Sequence, residues 1–246
     1  VTLPPLPRAF VATRLELQRV AVHVLARRRH ALSGRFGLRA TPGGIGTPAA
    51  GPDAEVVRVD GSTLVRERTG ARASTAVLDL RSASLADAAA LVEVDLTADF
   101  SAGADTPPVD DVDRPLDLDP GALSVLAGWF ALGWRVLDAA VAGAGRGAEP
   151  SVVQLWPEHF DAGCDLAAAP GRRVNLGASP GDEGHPEPYL YVGPWDAERP
   201  GDPAYWNAPF GARLPYAALE GVEDPAALAL DFLRAGLGHL AAGPTG

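Results

Sequence analysis

Residues 54–68 read AEVVRVDGSTLVRER, and the fold class turns on them. Two β-rich runs, AEVVRVD at 54–60 and STLVRER at 62–68, nearly abut at Asp60-Gly61. Asp-Gly between such runs is a strong hairpin signal, because these residues tolerate the positive φ of a tight primed turn. A hairpin commits the sheet to antiparallel pairing. RASTAVLDL at 72–80 extends it into a meander, and RFGLRAT at 35–41 alternates as an earlier strand. PGGIGTPAAGPD, which follows that strand, reads as a loop built from residues that punctuate structure.

Outward from the meander, apolar residues at 10, 11, 15, 17, 20, 22, 24 and 25 form a broad helical stripe. They predict one long helix over 8–32, stopped at Gly34. The Arg27-Arg28-Arg29 run falls near its C-terminal end, where cations suit the helix dipole. Ser84 with Asp87 predicts a capped helix over 85–93. Residues 101–119 are acidic and proline-rich and read as a boundary or linker. Asp119-Pro120 then opens a helix reaching about 142 that is apolar almost all round. The second half predicts strands at 152–156, 163–168, 172–178 and 188–193, a loop over 196–209, and a last helix over 225–240 opened by Asp224-Pro225.

No regular βαβ alternation appears, so a Rossmann domain does not fit. The pattern predicts the α+β class, with an antiparallel sheet or two sheets and long helices packed on one face. It fits one domain over 1–246, or two packed halves. Those halves would be 1–100, a helix plus the meander, and 120–246, a helix, a second sheet and the last helix.

The composition narrows the function classes. A net charge of −10 and a pI near 4.9 argue against a nucleic-acid footprint, which needs a basic face, and against docking on anionic lipid. The sequence contains no lysine, which excludes a pyridoxal Schiff base and a P-loop lysine from this chain. Cys164 is the only cysteine, so there is no internal disulfide and no multi-cysteine zinc site. The longest apolar run, Gly121–Trp134, is short for a membrane span and reads as a core helix. With no signal-peptide pattern at the start, the expected location is the cytoplasm.

The densest chemistry lies in residues 152–195. There VVQLWPEHFD is followed, after a spacer, by NLGASPGDEGHPEPYLYVGPW. Trp156-Pro157 ends a strand, with Glu158, His159 and Asp161 just beyond it. Asp182, Glu183, His185 and Glu187 lie in a second turn. If the strands pair, both turns converge at one end of a sheet. One reading is a metal site of His159, Asp182, Glu183 and His185, a donor set suited to zinc or manganese. A second is general acid–base chemistry by His159, Asp161, His185 and Glu187. A third is a pocket for a small-molecule ligand. Tyr189 and Tyr191 share a strand face, Trp156, Trp195, Tyr205, Trp206 and Phe210 come from flanking segments, and Arg173 and Asn175 from the preceding strand. One of Arg172 and Arg173 is expected to meet Asp161, Asp182 or an anionic ligand. Against all three stands a non-catalytic structural or protein-interaction domain, in which these residues only fix turns and core. Cys164 reads as a buried, inert thiol.

The segments just quoted resemble a bacterial family of unknown function with the signature LWPxHFD, then GxSxGDxxxPEPYxYV. The matching positions here are Leu155–Asp161, Gly177, Ser179, Gly181, Asp182, Pro186–Tyr189, Tyr191 and Val192. RFGLRATPGGIGTP looks like the first half of its actinobacterial members. The resemblance implies a stand-alone cytoplasmic domain with a shared second-half motif, and no activity to carry over. Such a motif is compatible with a purely structural role, since PGD and PEP fix turns through their φ restrictions.

Overall fold

The computed structural model describes residues 2–242. It contains two five-stranded antiparallel sheets with helices, the α+β arrangement expected. Its contacts divide the chain into two compact units. The N-terminal unit comprises Leu6–Ala131 and Leu155–Phe160. The C-terminal unit comprises residues up to Pro5, Leu132–Gln154 and residues from Asp161 on.

In the N-terminal unit the apolar stripe forms one continuous helical run: α1 (Phe10–Val20), a π-helical turn (Ala21–Ala26) and α2 (Arg27–Ser33). All six π-turn residues are buried. Gly34 ends the run at φ 68°, its N–H bonded to His30 O at 2.8 Å, a left-handed position that favours glycine. The meander is β1 (Arg39–Thr41), β2 (Gly44–Gly46), β3 (Val56–Asp60), β4 (Thr63–Arg68) and β5 (Ser74–Asp79), each paired with the next. The hairpin forms, but Asp60 pairs with Thr63, so its two turn residues are Gly61, at φ 56°, and Ser62 in place of Asp60-Gly61.

The stretch read as a loop after Thr41 contains β2, and β1 is shorter than the run at 35–41. Ile45 is fully buried and faces Val59 across the ladder. A Cβ on Gly46 would lie 2.6 Å from Arg58 Cβ. These glycines therefore let two strands approach closely and do not mark a loop. α3 (Leu85–Leu91) carries the expected capping box, with Asp87 N to Ser84 Oγ at 3.1 Å and Ser84 N to Asp87 Oδ2 at 2.9 Å.

Residues 101–119 are not a linker between halves. They belong to the N-terminal unit and meet the polar side of the first helix. His23 Nε2 lies 2.9 Å from Pro107 O, Arg114 Nη2 donates to Glu16 Oε1 at 2.6 Å, and Asp119 N donates to Thr13 Oγ1 at 3.1 Å. The division of contacts falls instead within α4 (Pro120–Ala142), between Ala131 and Leu132. Asp119 caps that helix through Ala122 N at 2.8 Å. Trp129, Phe130, Leu126 and Leu137 of α4 are fully buried, each stabilising by about 1.5–3 kcal/mol. Among the described residues α4 is the one helix long and apolar enough to cross a membrane, and half of its apolar window is buried within the chain.

The second sheet is β6 (Gln154–Trp156), β7 (Asp161–Ala169), β8 (Arg172–Ser179), β9 (Tyr189–Pro194) and β10 (Ala212–Pro215), in the order β10-β9-β8-β7-β6. β10 was not anticipated, being four residues inside a proline-rich stretch. Strand alternation gives this sheet two different faces. Val174, Leu176, Ala178, Leu190 and Val192 are fully buried on the face that takes α4 and α5 (Pro225–Ala242). A Cβ on Gly133 of α4 would lie 2.5 Å from Ala178 Cβ, and one on Gly236 of α5 2.9 Å from Val192 Cγ1. Glycine in each helix thus permits the close approach.

Candidate functional site

The register places Asp161, Gly163 and Asp165 of β7 on the other face. With them lie Arg173, Asn175, Gly177 and Ser179 of β8, and Tyr189, Tyr191 and Gly193 of β9. Gly163 pairs with Gly177, and Gly177 with Tyr191. A Cβ on Gly177 would overlap the Tyr191 ring, and one on Gly163 would lie 3.2 Å from its hydroxyl. The two glycines are therefore the bed on which the Tyr191 ring lies flat across the sheet. At the far side its hydroxyl donates to Asp161 Oδ2 at 2.5 Å. Burial, and then the Asp161 charge, hold this phenol well above its ordinary pKa, so it stays a donor.

A second phenol repeats the arrangement two residues earlier. The Tyr189 hydroxyl donates to Asp182 Oδ2, and burial together with that bond raises its pKa. Asp182 also closes the turn between β8 and β9. Its Oδ1 accepts from His185 N at 2.7 Å, and its own N–H donates to His185 O at 2.8 Å. Gly181 N donates to Ser179 Oγ at 3.1 Å, and Gly181 takes φ 103°. A Cβ on Gly181 would lie 2.8 Å from Pro186 C. The His185 ring packs edge-on against Tyr189, and Phe210 lies near both tyrosines, at 6.1 and 6.3 Å between ring centroids.

At the end of β9 stands Trp195, 62% exposed. Its indole N–H donates to Asn175 Oδ1 at 2.8 Å, and its backbone N–H to Arg173 O at 3.1 Å. The Arg173 guanidinium carbon lies 5.4 Å from the ring centroid. Arg173 bonds Asp165 through Nε at 2.8 Å and through Nη2.

The structure thus gathers most of the expected ligand-pocket residues on one sheet face: Arg173, Asn175, Tyr189, Tyr191 and Trp195. It separates others. Trp156 and His159 belong to the N-terminal unit, where His159 Nδ1 lies 3.1 Å from Asp105 Oδ2. The LWPEHFD motif is divided after Phe160, which takes φ 56° and packs edge-on against Phe130 at 5.3 Å. Tyr205 and Trp206 pack on α5, with Tyr205 4.9 Å from the His239 ring. The partner expected of Arg172 or Arg173 is also corrected. Arg173 takes Asp165, its cross-strand neighbour two residues out, and Arg172 takes Asp196 and Glu198.

Among the described residues no three of His, Cys, Asp and Glu form a group able to hold a metal. His159, Asp182, Glu183 and His185 are accordingly not assembled as a donor set. Asp182 is occupied by its turn and by Tyr189, and Glu183 and Glu187 are exposed on the turn. His185 Nδ1 is 3.8 Å from Asp182 Oδ1, beyond hydrogen-bond reach. Burial, and next the charge of Asp165, push the Cys164 thiol up to about 12, which makes it unreactive. A cleft of about 360 Å3 lies elsewhere in the C-terminal unit, lined by Ala140, Ala144, Leu166, Ala167, Arg234 and Leu237, with none of the expected site residues.

Sequence reasoning missed Asp165. The available signal was parity: Asp161, Asp165, Arg173 and Asn175 all fall on one face once β7 and β8 pair. No known protein family, no curated protein and no solved structure matches the chain.

Proposed function

We propose that this chain is a small-molecule-binding domain. Its ligand would lie on the face of the second sheet turned away from α4 and α5. One observation carries this reading: two neighbouring phenols each donate to a carboxylate, and one lies on a bed of two glycines. Glycine weakens a strand, and a buried polar pair is weaker evidence for stability than an apolar one. A sheet needing only a lid over its face would do better with β-branched residues there. Here the residues at hand place hydrogen-bonding oxygens beside aromatic rings, the composition of a ligand site. The lone buried thiol is compatible with the cytoplasmic location the sequence suggests.

The bonds of Asp182 within its own turn favour a second role for the PGDEGHPEP segment, which is to fix the hairpin that positions Tyr189. The test is amide NMR on 15N-labelled protein with three soluble probes: sorbitol, choline and benzoate. Shifts from at least one probe should cluster at Asn175, Tyr189, Tyr191 and Trp195, and shrink in Tyr191→Phe. Shifts scattered over the surface, or none, would leave only the structural role.

A further inference from the structure

We infer that Trp195 is the stacking platform of a carbohydrate subsite, taking one pyranose ring of a neutral glycan on its indole face. Asn175, Arg173 and Asp165 would bind that sugar's hydroxyls. This rests on reading the sheet face as the binding face, and it names the ligand class.

Three features converge on the indole. First, the ring is 62% exposed, so it forgoes much of the burial that makes tryptophan stabilising. Second, it is not loose. Its backbone N–H, its indole N–H and a guanidinium over one face of its ring all fix its orientation, and leave the opposite face for a ligand. A side chain ordered before the ligand arrives gives up little entropy on binding. Third, its anchors are themselves sugar-binding groups. Asn175 uses Oδ1 on the indole, and its Nδ2 has no hydrogen bond among the described residues. Arg173 engages Asp165 Oδ1 and Glu149 O through Nε and Nη2. That leaves Nη1 as a donor and Asp165 Oδ2 as an acceptor. The indole face opposite Arg173, with the Asn175 amide at its edge and Asp165 beside Arg173, complements a pyranose, which has an apolar C–H face and a rim of hydroxyls that both donate and accept.

Charge selects among ligands. Arg173 and Asp165 neutralise each other. A phosphate or carboxylate would have to draw Arg173 off Asp165, and a cation would have to do the reverse. A neutral polyhydroxylated ring binds both without parting them.

The test uses the 15N-labelled full chain titrated with cellohexaose, maltohexaose, mannohexaose, xylohexaose and chitohexaose, with adenosine as the planar aromatic control. The chain has five indole N–H signals, and that of Trp195 is the one lost in Trp195→Phe. At least one saccharide should shift this signal and the Tyr191 amide saturably while the other indoles stay still. Trp195→Ala should abolish the response at unchanged melting temperature, and Asn175→Ala should weaken it about tenfold. If no saccharide moves Trp195, or if binding survives Trp195→Ala, the subsite is wrong. If adenosine alone moves it, the platform takes planar bases and the carbohydrate class is wrong. The sorbitol, choline and benzoate shifts distinguish the two failures. If those probes still mark Tyr189 and Tyr191, the binding face stands without a sugar; if they do not, both readings fall together.

Discussion

The two units hold carboxylates by opposite means. In the N-terminal unit Glu55, 3% exposed in its side chain, sits among three guanidiniums: Arg28 Nε at 2.6 Å, Arg68 Nε at 2.7 Å and Arg66 Nε at 3.0 Å. Glu93 closes the cluster from outside, 2.8 Å from Arg66 Nη2 and 3.2 Å from Arg68 Nη2. Burial pushes the Glu55 carboxyl up, but the bonds and charges of Arg28 and Arg68 outweigh it, and the net shift is downward. In the C-terminal unit Asp161 and Asp182 are held instead by the uncharged phenols of Tyr191 and Tyr189. A cation cluster satisfies a carboxylate completely and leaves it nothing to offer. A phenol supplies one bond and no charge. The first arrangement is cross-linking between α2, β4 and the segment before β3, and the second lines one sheet face with neutral donors.

The sharpest way to break this contrast is Glu55→Gln. It strips the central charge from one buried and two half-buried guanidiniums, and we expect a loss of about 3–5 kcal/mol, seen as a melting temperature lower by roughly 6–20 °C. The group's folded pKa lies below its ordinary value of 4.5. Its stabilisation is therefore full above about that pH and disappears as pH falls through the lower folded value. Urea midpoints measured between neutral pH and acid should show this slope in the wild type and a flatter one in the variant. A variant as stable as wild type would mean that the cluster is not a cross-link.

Gly177→Ala comes next, because the added methyl overlaps the Tyr191 ring. Overpacking of this kind costs about 1–3 kcal/mol, and the displaced phenol should release Asp161, so ligand-induced amide shifts at Tyr191 should vanish too. Tyr191→Phe is gentler. It keeps the ring on its glycine bed and removes one hydrogen bond, for about 1 kcal/mol by urea denaturation. Equal losses in these two variants would show that the hydroxyl, and not the seating of the ring, carries the effect.

The class and the helices were legible in the sequence because each rests on local rules. Ser84 with Asp87, and Asp119 and Asp224 each before a proline, cap helices by bonds that span three residues. Gly61 turns a hairpin in place. What was not legible depends on register between distant strands. Gly44 and Gly46 looked like punctuation because nothing local says that Arg58 and Val59 lie against them. Residues 101–119 looked like a linker because their partners, Thr13, Glu16, Arg19 and His23, lie some ninety positions earlier on a helix that seemed merely amphipathic. The site was half legible for the same reason. Strand parity put Tyr189 with Tyr191, but only the pairing of β7 with β8 brings Asp165 to Arg173. The division after Phe160, which parts His159 from Asp161, leaves no trace in a motif that reads as continuous.

A buried group held neutral sharpens the comparison from the other side. His23, on the π-helical turn, is fully buried. Burial is the main force lowering its pKa below the ordinary 6.5, and the neighbouring cations Arg27 and Arg19 add to it against the contact with Pro107 O and the charge of Asp110. The folded chain resists a proton that the unfolded chain takes up near that value. Stability is therefore greatest above about pH 6.5 and declines as pH falls from there toward the lower folded pKa. The effect lies at higher pH than that of Glu55. His23→Gln retains a donor for Pro107 O and does not titrate. Denaturation midpoints of wild type and variant should converge or cross as pH is lowered from 7 to 5, while Glu55→Gln keeps the wild-type slope over the same interval. If His23→Gln leaves that slope unchanged, the N-terminal unit admits the proton without resistance. Its polar interior would then be more open than the tight arginine cluster implies.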